Sequence, residues 1–124
     1  MATKVRSERG LAARVAGRRA EVWAAVWLML RGYRILGFRL KTPQAEIDLL
    51  AVKGAVLAVV EVKQRVTLTA ALEAVSSDQR KRLRRAGRNL ASRRPSLADK
   101  AVRLDLIAMA PGKWPKHCPD AWAE

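Results

Sequence analysis

The chain has 124 residues, half of them hydrophobic, which supplies a core for one domain of ordinary size. Lys and Arg number 25 against 11 acids, a net charge of +14. Such a charge repels itself and calls for a polyanionic partner: nucleic acid first, an acidic ribosomal RNA environment or an anionic membrane surface second.

The single cysteine, Cys118, excludes an internal disulfide and fits a reducing compartment. Residues 1–9 are polar and basic and read as a flexible arm. Residues 10–31 lack proline, are rich in Ala, and put Trp23, Val26, Trp27 and Leu30 on one stripe, so they predict a helix packed through that stripe. Its apolar run, Val22–Leu30, is too short to span a bilayer. Arg18-Arg19 resembles an export signal only superficially, and the cytoplasm is the expected compartment. Gly32 ends the helix. Tyr33–Leu40 alternates as a strand, and Thr42-Pro43 breaks it.

Two strand-length runs follow, AEIDLLAVK over Ala45–Lys53 and AVLAVVEVK over Ala55–Lys63. Each holds charges that a buried strand excludes unless they are paired or bind a metal. A two-residue turn at Lys53-Gly54 pairs Val52 with Ala55, which sets Glu46 opposite Glu61 and Asp48 opposite Val59. With period-two alternation, Glu46, Asp48, Glu61 and Lys63 then share one face, and Ile47, Leu49, Val60 and Val62 share the other. Asp48 lies one diagonal step from Glu61, roughly 7–8 Å between backbones. Two carboxylates leaning over that gap can hold one divalent ion. Acids crowded into one hairpin repel one another, which suits a metal site better than a solvated surface.

A short helical segment is expected over residues 67–76. A basic helix then runs from about Asp78, its expected N-terminal cap, to Ser92, and Pro95 stops it. Leu83, Ala86, Gly87, Leu90 and Ala91 form its apolar stripe. Arg80, Lys81, Arg84, Arg85 and Arg88 cover other faces and are the expected phosphate contacts, more charge than solubility needs. Ala101–Ala110 is a strand with Arg103 and Asp105 on one side, and 111–124 reads as an irregular tail. One domain over 10–110 therefore has the order helix, three strands, helix, strand: an α/β fold with a mixed sheet flanked by helices, the first three strands an antiparallel meander and the last laid parallel by the crossover helix.

The ordered set resembles the PD-(D/E)xK nuclease superfamily and, within it, the small bacterial family UPF0102. The residues that carry the likeness are Gly17-x-x-Ala20-Glu21, Gly32-Tyr33-x-Ile35-Leu36, Glu46-Ile47-Asp48-Leu49, Glu61-Val62-Lys63-x-Arg65, Ala74-Val75 before the basic helix, and Arg103-Leu104-Asp105. Ala45 stands where the family commonly has Gly, and Gln79 where it commonly has Lys. The resemblance implies a restriction-endonuclease-like fold, the Val62 carbonyl as a further metal oxygen, and Gln79 as a residue type that related nucleases use at that helix. Relatives that cut junctions favour a homodimer.

On this reading the cofactor is Mg²⁺ or Mn²⁺, held by Asp48 and Glu61, because a divalent ion on carboxylates activates water and neutralises phosphate charge. Lys63 reaches the water or the scissile phosphate, and Glu21 touches the metal through water or orients Lys63. Glu46 is a weaker candidate that pairs structurally with Arg65 or Lys63. The expected function is metal-dependent cleavage of DNA, favoured over RNA, in branched or damaged structures. A non-catalytic nucleic-acid-binding module and an RNA- or ribosome-associated basic protein are the alternatives. His117 and Cys118 stand alone, so no zinc site is expected. With four Trp, one Tyr and one Phe, a base-stacking platform is not expected either.

Overall fold

The computed structural model describes residues 2–123. Helix α1 (Ala2–Leu30) is followed by strands β1 (Arg34–Lys41), β2 (Glu46–Lys53) and β3 (Val56–Gln64), helices α2 (Leu68–Glu73) and α3 (Ser77–Arg93), and strands β4 (Ala101–Met109) and β5 (Lys116–Cys118). The strands form one five-stranded sheet in chain order. β1, β2 and β3 are an antiparallel meander, β3 and β4 run parallel, and β5 returns antiparallel to β4. The mixed sheet flanked by helices is thus the expected α/β architecture, consistent with a restriction-endonuclease-like fold. Among the described residues no helix is long and apolar enough to cross a membrane.

Two apolar layers sandwich the sheet. On one face Leu83, Ala86 and Ala91 of α3 pack with Leu50, Val52, Leu57, Val59 and Leu104. On the other, Ala24, Ala25 and Leu28 of α1 pack with Leu49, Ala51, Ala58, Val60 and Ile107. Covered on both sides, β2 and β3 read as nearly continuous apolar runs. Helix α3 begins at Ser76, whose hydroxyl accepts the Gln79 N–H at 3.1 Å, rather than at Asp78. It lies tight on the sheet at Gly87, where an added Cβ would fall 2.6 Å from Val59 Cγ2 and 2.9 Å from Val102 Cγ1.

Further features differ from the sequence reading. Helix α1 starts at Ala2, so residues 2–9 are helical where a flexible arm is expected. Met1 and Glu124, at the ends of the expected arm and tail, lie outside the described residues. The face of α1 that meets the sheet is Ala20, Ala24, Ala25 and Leu28, while Trp23 and Leu30 are 63 % and 76 % exposed. Small side chains let a helix approach a sheet closely, and the bulky ones are left at its rim. The hairpin turn is Gly54-Ala55, with Gly54 at φ 56, and Val52 pairs with Leu57. The expected turn placed Val52 opposite Ala55, so the ladder is shifted by two residues, a shift that preserves parity from Leu49 to Lys53. Finally, the tail is ordered by β5, through pairs such as Ile107 with His117.

Alternation breaks once, at Asp48. Ile47 packs with the α3 layer and Leu49 with the α1 layer, although period two would put them together. Arg39 lies between the β1 partners of Leu49 and Ile47, and its backbone is left-handed at φ 48. An αL residue inside a strand turns the local peptide planes, so this end of β1 and β2 twists away from the regular pleat.

Candidate active site

The β2–β3 ladder runs from Lys53–Val56 to Leu49–Val60 and stops there. Continued by one pair, it would set Asp48 opposite Glu61, not opposite Val59. In place of a further backbone rung, the Asp48 carboxylate accepts the Val62 N–H at 3.0 Å. A side chain that replaces a ladder bond opens the strand pair at the point where the acids stand.

Glu61 is buried, and its Oε1 has no hydrogen-bond partner among the described residues. Lys63 Nζ lies 4.0 Å from its other oxygen. Burial, then the charge of Asp48, push the Glu61 carboxyl up to about 8, and Lys63 opposes the shift. Asp48 is raised too, chiefly by burial, with the Val62 N–H and Lys63 working against it. Glu21, on α1, is held by Arg39, whose Nε donates to Oε2 at 2.7 Å. Burial raises Glu21, Arg39 lowers it, and the charges of Asp48 and Glu46 reach it.

The structure therefore brings Glu21, Asp48, Glu61 and Lys63 into one electrostatic neighbourhood at the open end of the hairpin. Glu46 stands exposed at its edge, and Arg65 donates to the Gln64 carbonyl at 2.7 Å. Gln79 is half-buried in the first turn of α3. Among the described residues no three His, Cys, Asp or Glu side chains are grouped to cage an ion, so the arrangement is a pair of carboxylates. A pair suits Mg²⁺, which keeps its waters and takes one or two carboxylates plus substrate oxygens. The unpartnered Glu61 oxygen fits such a cation: a buried, uncompensated carboxylate is stabilised when a positive charge arrives.

The basic helix divides in two. Lys81, Arg85 and Arg88 are exposed on its outer face. Arg80 stacks its guanidinium 5.8 Å from the Trp122 ring, and Arg84 donates to the Trp122 carbonyl at 2.8 Å. Trp122 in turn donates from Nε1 to the Leu72 carbonyl at 3.2 Å. These two arginines thus tie α3 to the tail.

Sequence reasoning missed three features. Arg39 has no local signature, because its partner Glu21 comes from another element. The second is a buried polar network. Arg103 donates to both Asp105 oxygens at 2.7 and 2.8 Å and to the Tyr33 hydroxyl at 2.6 Å. His117 Nε2 lies 2.9 Å from Asp105 and the Asp120 N–H 3.0 Å. Arg31 donates to His117 Nδ1 at 3.3 Å, which leaves Nε2–H as the donor to Asp105. Only the pairing of β5 with β4 brings His117 there. The third is aromatic clustering, where no stacking platform is expected. Trp23, Trp27 and Trp114 line one cavity of about 470 Å³, because Trp114 stacks on Trp27 with centroids 5.8 Å apart.

Residues 20–109 match the model of "Uncharacterised protein family UPF0102". That span runs from the residue before Glu21 to the end of β4. A "UPF0102 protein" of Caulobacter vibrioides (strain NA1000 / CB15N) is 67 % identical over 122 residues, 98 % of each chain. One from Caulobacter sp. (strain K31) is 66 % identical over 114 residues, 92 % of this chain and 82 % of the relative. One from Parvibaculum lavamentivorans is 49 % identical over 113 residues, 91 % of this chain and 85 % of the relative.

Proposed function

The chain belongs to the UPF0102 family, and from that premise and the hairpin acids we propose that it is a divalent-cation-dependent nuclease that hydrolyses phosphodiester bonds. DNA is the favoured substrate over RNA, in branched or damaged forms, met in the cytoplasm, with a homodimer where both strands are cut. One observation carries the reading. Glu61 is a buried carboxylate with an unpartnered oxygen, and a second carboxylate, Asp48, is near enough to raise its pKa. A fold bears that cost where a cation is to be received.

Asp48 and Glu61 would hold Mg²⁺ or Mn²⁺, and the carbonyl of Val62, whose N–H already meets Asp48, would add a third oxygen. When bound, such an ion polarises phosphoryl oxygens and acidifies water. Lys63, with Nζ 4.0 Å from Glu61, would meet the substrate phosphate or the attacking water. Glu21, fixed by Arg39, supplies a further carboxylate that orients water or the Lys63 ammonium. Lys81, Arg85 and Arg88 neutralise flanking phosphates without reading sequence, with Arg80 and Arg84 set back against Trp122.

A second reading, a nucleic-acid-binding module that keeps the fold without catalysis, is favoured by the lack of a three-ligand group among the described residues. The deciding experiment incubates the protein, Asp48→Ala and Lys63→Ala with labelled single-stranded, duplex, flap and four-way DNA in Mn²⁺. Cleavage by the parent that both variants lose supports the nuclease. Salt-sensitive binding without cleavage by the parent supports the binding module.

A further inference from the structure

The rim of α1 carries what its core face does not. Trp23 is 63 % exposed, and Trp114, at the start of the tail, is 82 % exposed although it stacks on Trp27. Both line the 470 Å³ cavity with Trp27, Leu30 and Pro111. Trp27 is half-buried between Trp114 and the body of the domain, so its ring backs the cavity. The surroundings are cationic: Arg18, Arg19, Arg31 and Lys113 are exposed, and Arg31 lies 5.4 Å from the Trp27 ring centroid.

The cavity is built on α1 and the end of β4, and α1 also carries Glu21. Trp23 also lines a neighbouring cavity of about 650 Å³, shared with Arg19, Ala20 and Gln64. Ala20 precedes Glu21, and Gln64 follows Lys63. From Glu21 to Trp27 the helix rises about 9 Å, the span of two or three stacked nucleotides.

We propose that Trp23, Trp27 and Trp114 form a subsite for an unpaired base of single-stranded nucleic acid, with the flanking cations on its backbone. Flat, exposed π-faces take any base, and cations beside them favour a polyanion over a neutral apolar ligand. A paired base keeps its faces inside the duplex stack, so the subsite selects single strands, flaps and unpaired ends. The same net positive charge opposes a second copy of the chain on this face. The inference rests on the nuclease reading for its meaning, as the subsite that makes cleavage structure-selective, but its test is binding alone.

The full chain is titrated in EDTA with labelled dT15 and with a blunt duplex, reading anisotropy and intrinsic tryptophan fluorescence. Trp23→Ala and Trp114→Ala should each weaken dT15 binding about ten-fold with duplex affinity unchanged, while Trp114→Phe stays close to the parent. dT15 should quench the parent's tryptophan emission. Titration in EDTA reads binding without cleavage, so a failure of the nuclease reading leaves this result readable by itself. Equal dT15 affinity in both alanine variants overturns the subsite, as does an equal loss of duplex binding. Loss of binding to anionic phosphatidylserine vesicles with dT15 binding intact assigns the face to a membrane surface and overturns it. A dimer that Trp23→Ala dissociates, again with dT15 binding intact, assigns it to a second copy and overturns it too.

Discussion

Arg39 Nε sits 2.7 Å from Glu21 Oε2, and the arginine reaches it from a backbone at φ 48. The ion pair joins α1 to β1 across the open end of the hairpin, and it holds the acid of α1 among those of β2 and β3. Non-glycine residues seldom occupy that backbone region, so the geometry is maintained by its surroundings.

Arg39→Ala should therefore reduce cleavage by about 10- to 100-fold through misplacement of Glu21, with little change in DNA binding. Burial, with the charges of Asp48 and Glu46, would then raise the Glu21 carboxyl without opposition from Arg39, so it would stay protonated to higher pH. The acid limb of the pH–rate profile should move upward. Arg39→Lys keeps the charge but not the planar fork, and should restore only part of the rate. An unchanged pH profile in Arg39→Ala would remove Glu21 from the working site.

Glu61 makes a prediction about stability. Its carboxyl ordinarily titrates near 4.5 and is pushed up to about 8 in the fold, first by burial and then by Asp48. Between those values the folded chain keeps a proton that the unfolded chain releases, so this group lowers stability as pH rises from about 4.5 to about 8. Glu61→Gln, neutral at every pH, should be more stable than the parent by about 2 kcal/mol or more at pH 8, with the gap closing near pH 5. Millimolar Mn²⁺ should raise the thermal midpoint of the parent at pH 8 and leave Glu61→Gln where it was. Chemical denaturation at two pH values and a melt with and without Mn²⁺ give both readings. A stability gap that does not depend on pH would mean that Glu61 is not held proton-bound.

Gly87 is the point of closest approach between α3 and the sheet. A methyl there meets Val59 and Val102 at distances that real Cβ atoms do not adopt. Gly87→Ala should cost about 1–3 kcal/mol by overpacking. Gly17, in the middle of α1, has nothing within 4 Å of its added Cβ. Gly17→Ala should stabilise the chain by about 0.5–1 kcal/mol, because a helix interior loses less backbone entropy with Ala. Opposite signs in urea unfolding of the two variants would show that α3 is clamped by that contact.

The parts of this molecule that were legible in the sequence are those fixed by local period. The β2–β3 hairpin, the basic helix and the last long strand follow from alternation and from three-and-four spacing, though the helix is capped by Ser76 and not by Asp78. The two-residue shift of register preserves parity along the regular part of the ladder, and the break at Asp48 comes from the left-handed Arg39 opposite it, which no local pattern announces. What local pattern cannot supply is the choice between two apolar helix faces. On α1 the Trp and Leu stripe is the more hydrophobic, yet the Ala face docks, because closeness to a two-sided sheet is decided by size. Nor does spacing reveal that a proline-rich tail adds a strand. The positions of Arg39 and His117 depend on partners far away in the chain, and a short-range reading has no term for them.

The Asp105 network is the most heavily hydrogen-bonded case of that long-range pairing among the described residues. Asp105 is fully buried, with Arg103, His117 and the Asp120 N–H all directed at its two oxygens. Burial would raise its pKa, but the hydrogen bonds from His117, Arg103 and Asp120 outweigh it and hold the carboxyl below its ordinary 3.8. The folded chain therefore binds fewer protons here than the unfolded chain in acid. The stabilisation is complete above about pH 4 and disappears as pH falls through the lowered value. Asp105→Asn keeps the shape but turns one acceptor into a donor against a wall of donors. It should cost about 3–5 kcal/mol at neutral pH, as an uncompensated partner of a buried pair does, and detach β5 from β4. His117→Ala removes one donor and should cost less, about 1–3 kcal/mol. Equilibrium unfolding from pH 7 to pH 3 checks both. The parent should lose ground to Asp105→Asn as the pH falls, and parallel curves would mean that Asp105 is not the ionised anchor of the tail.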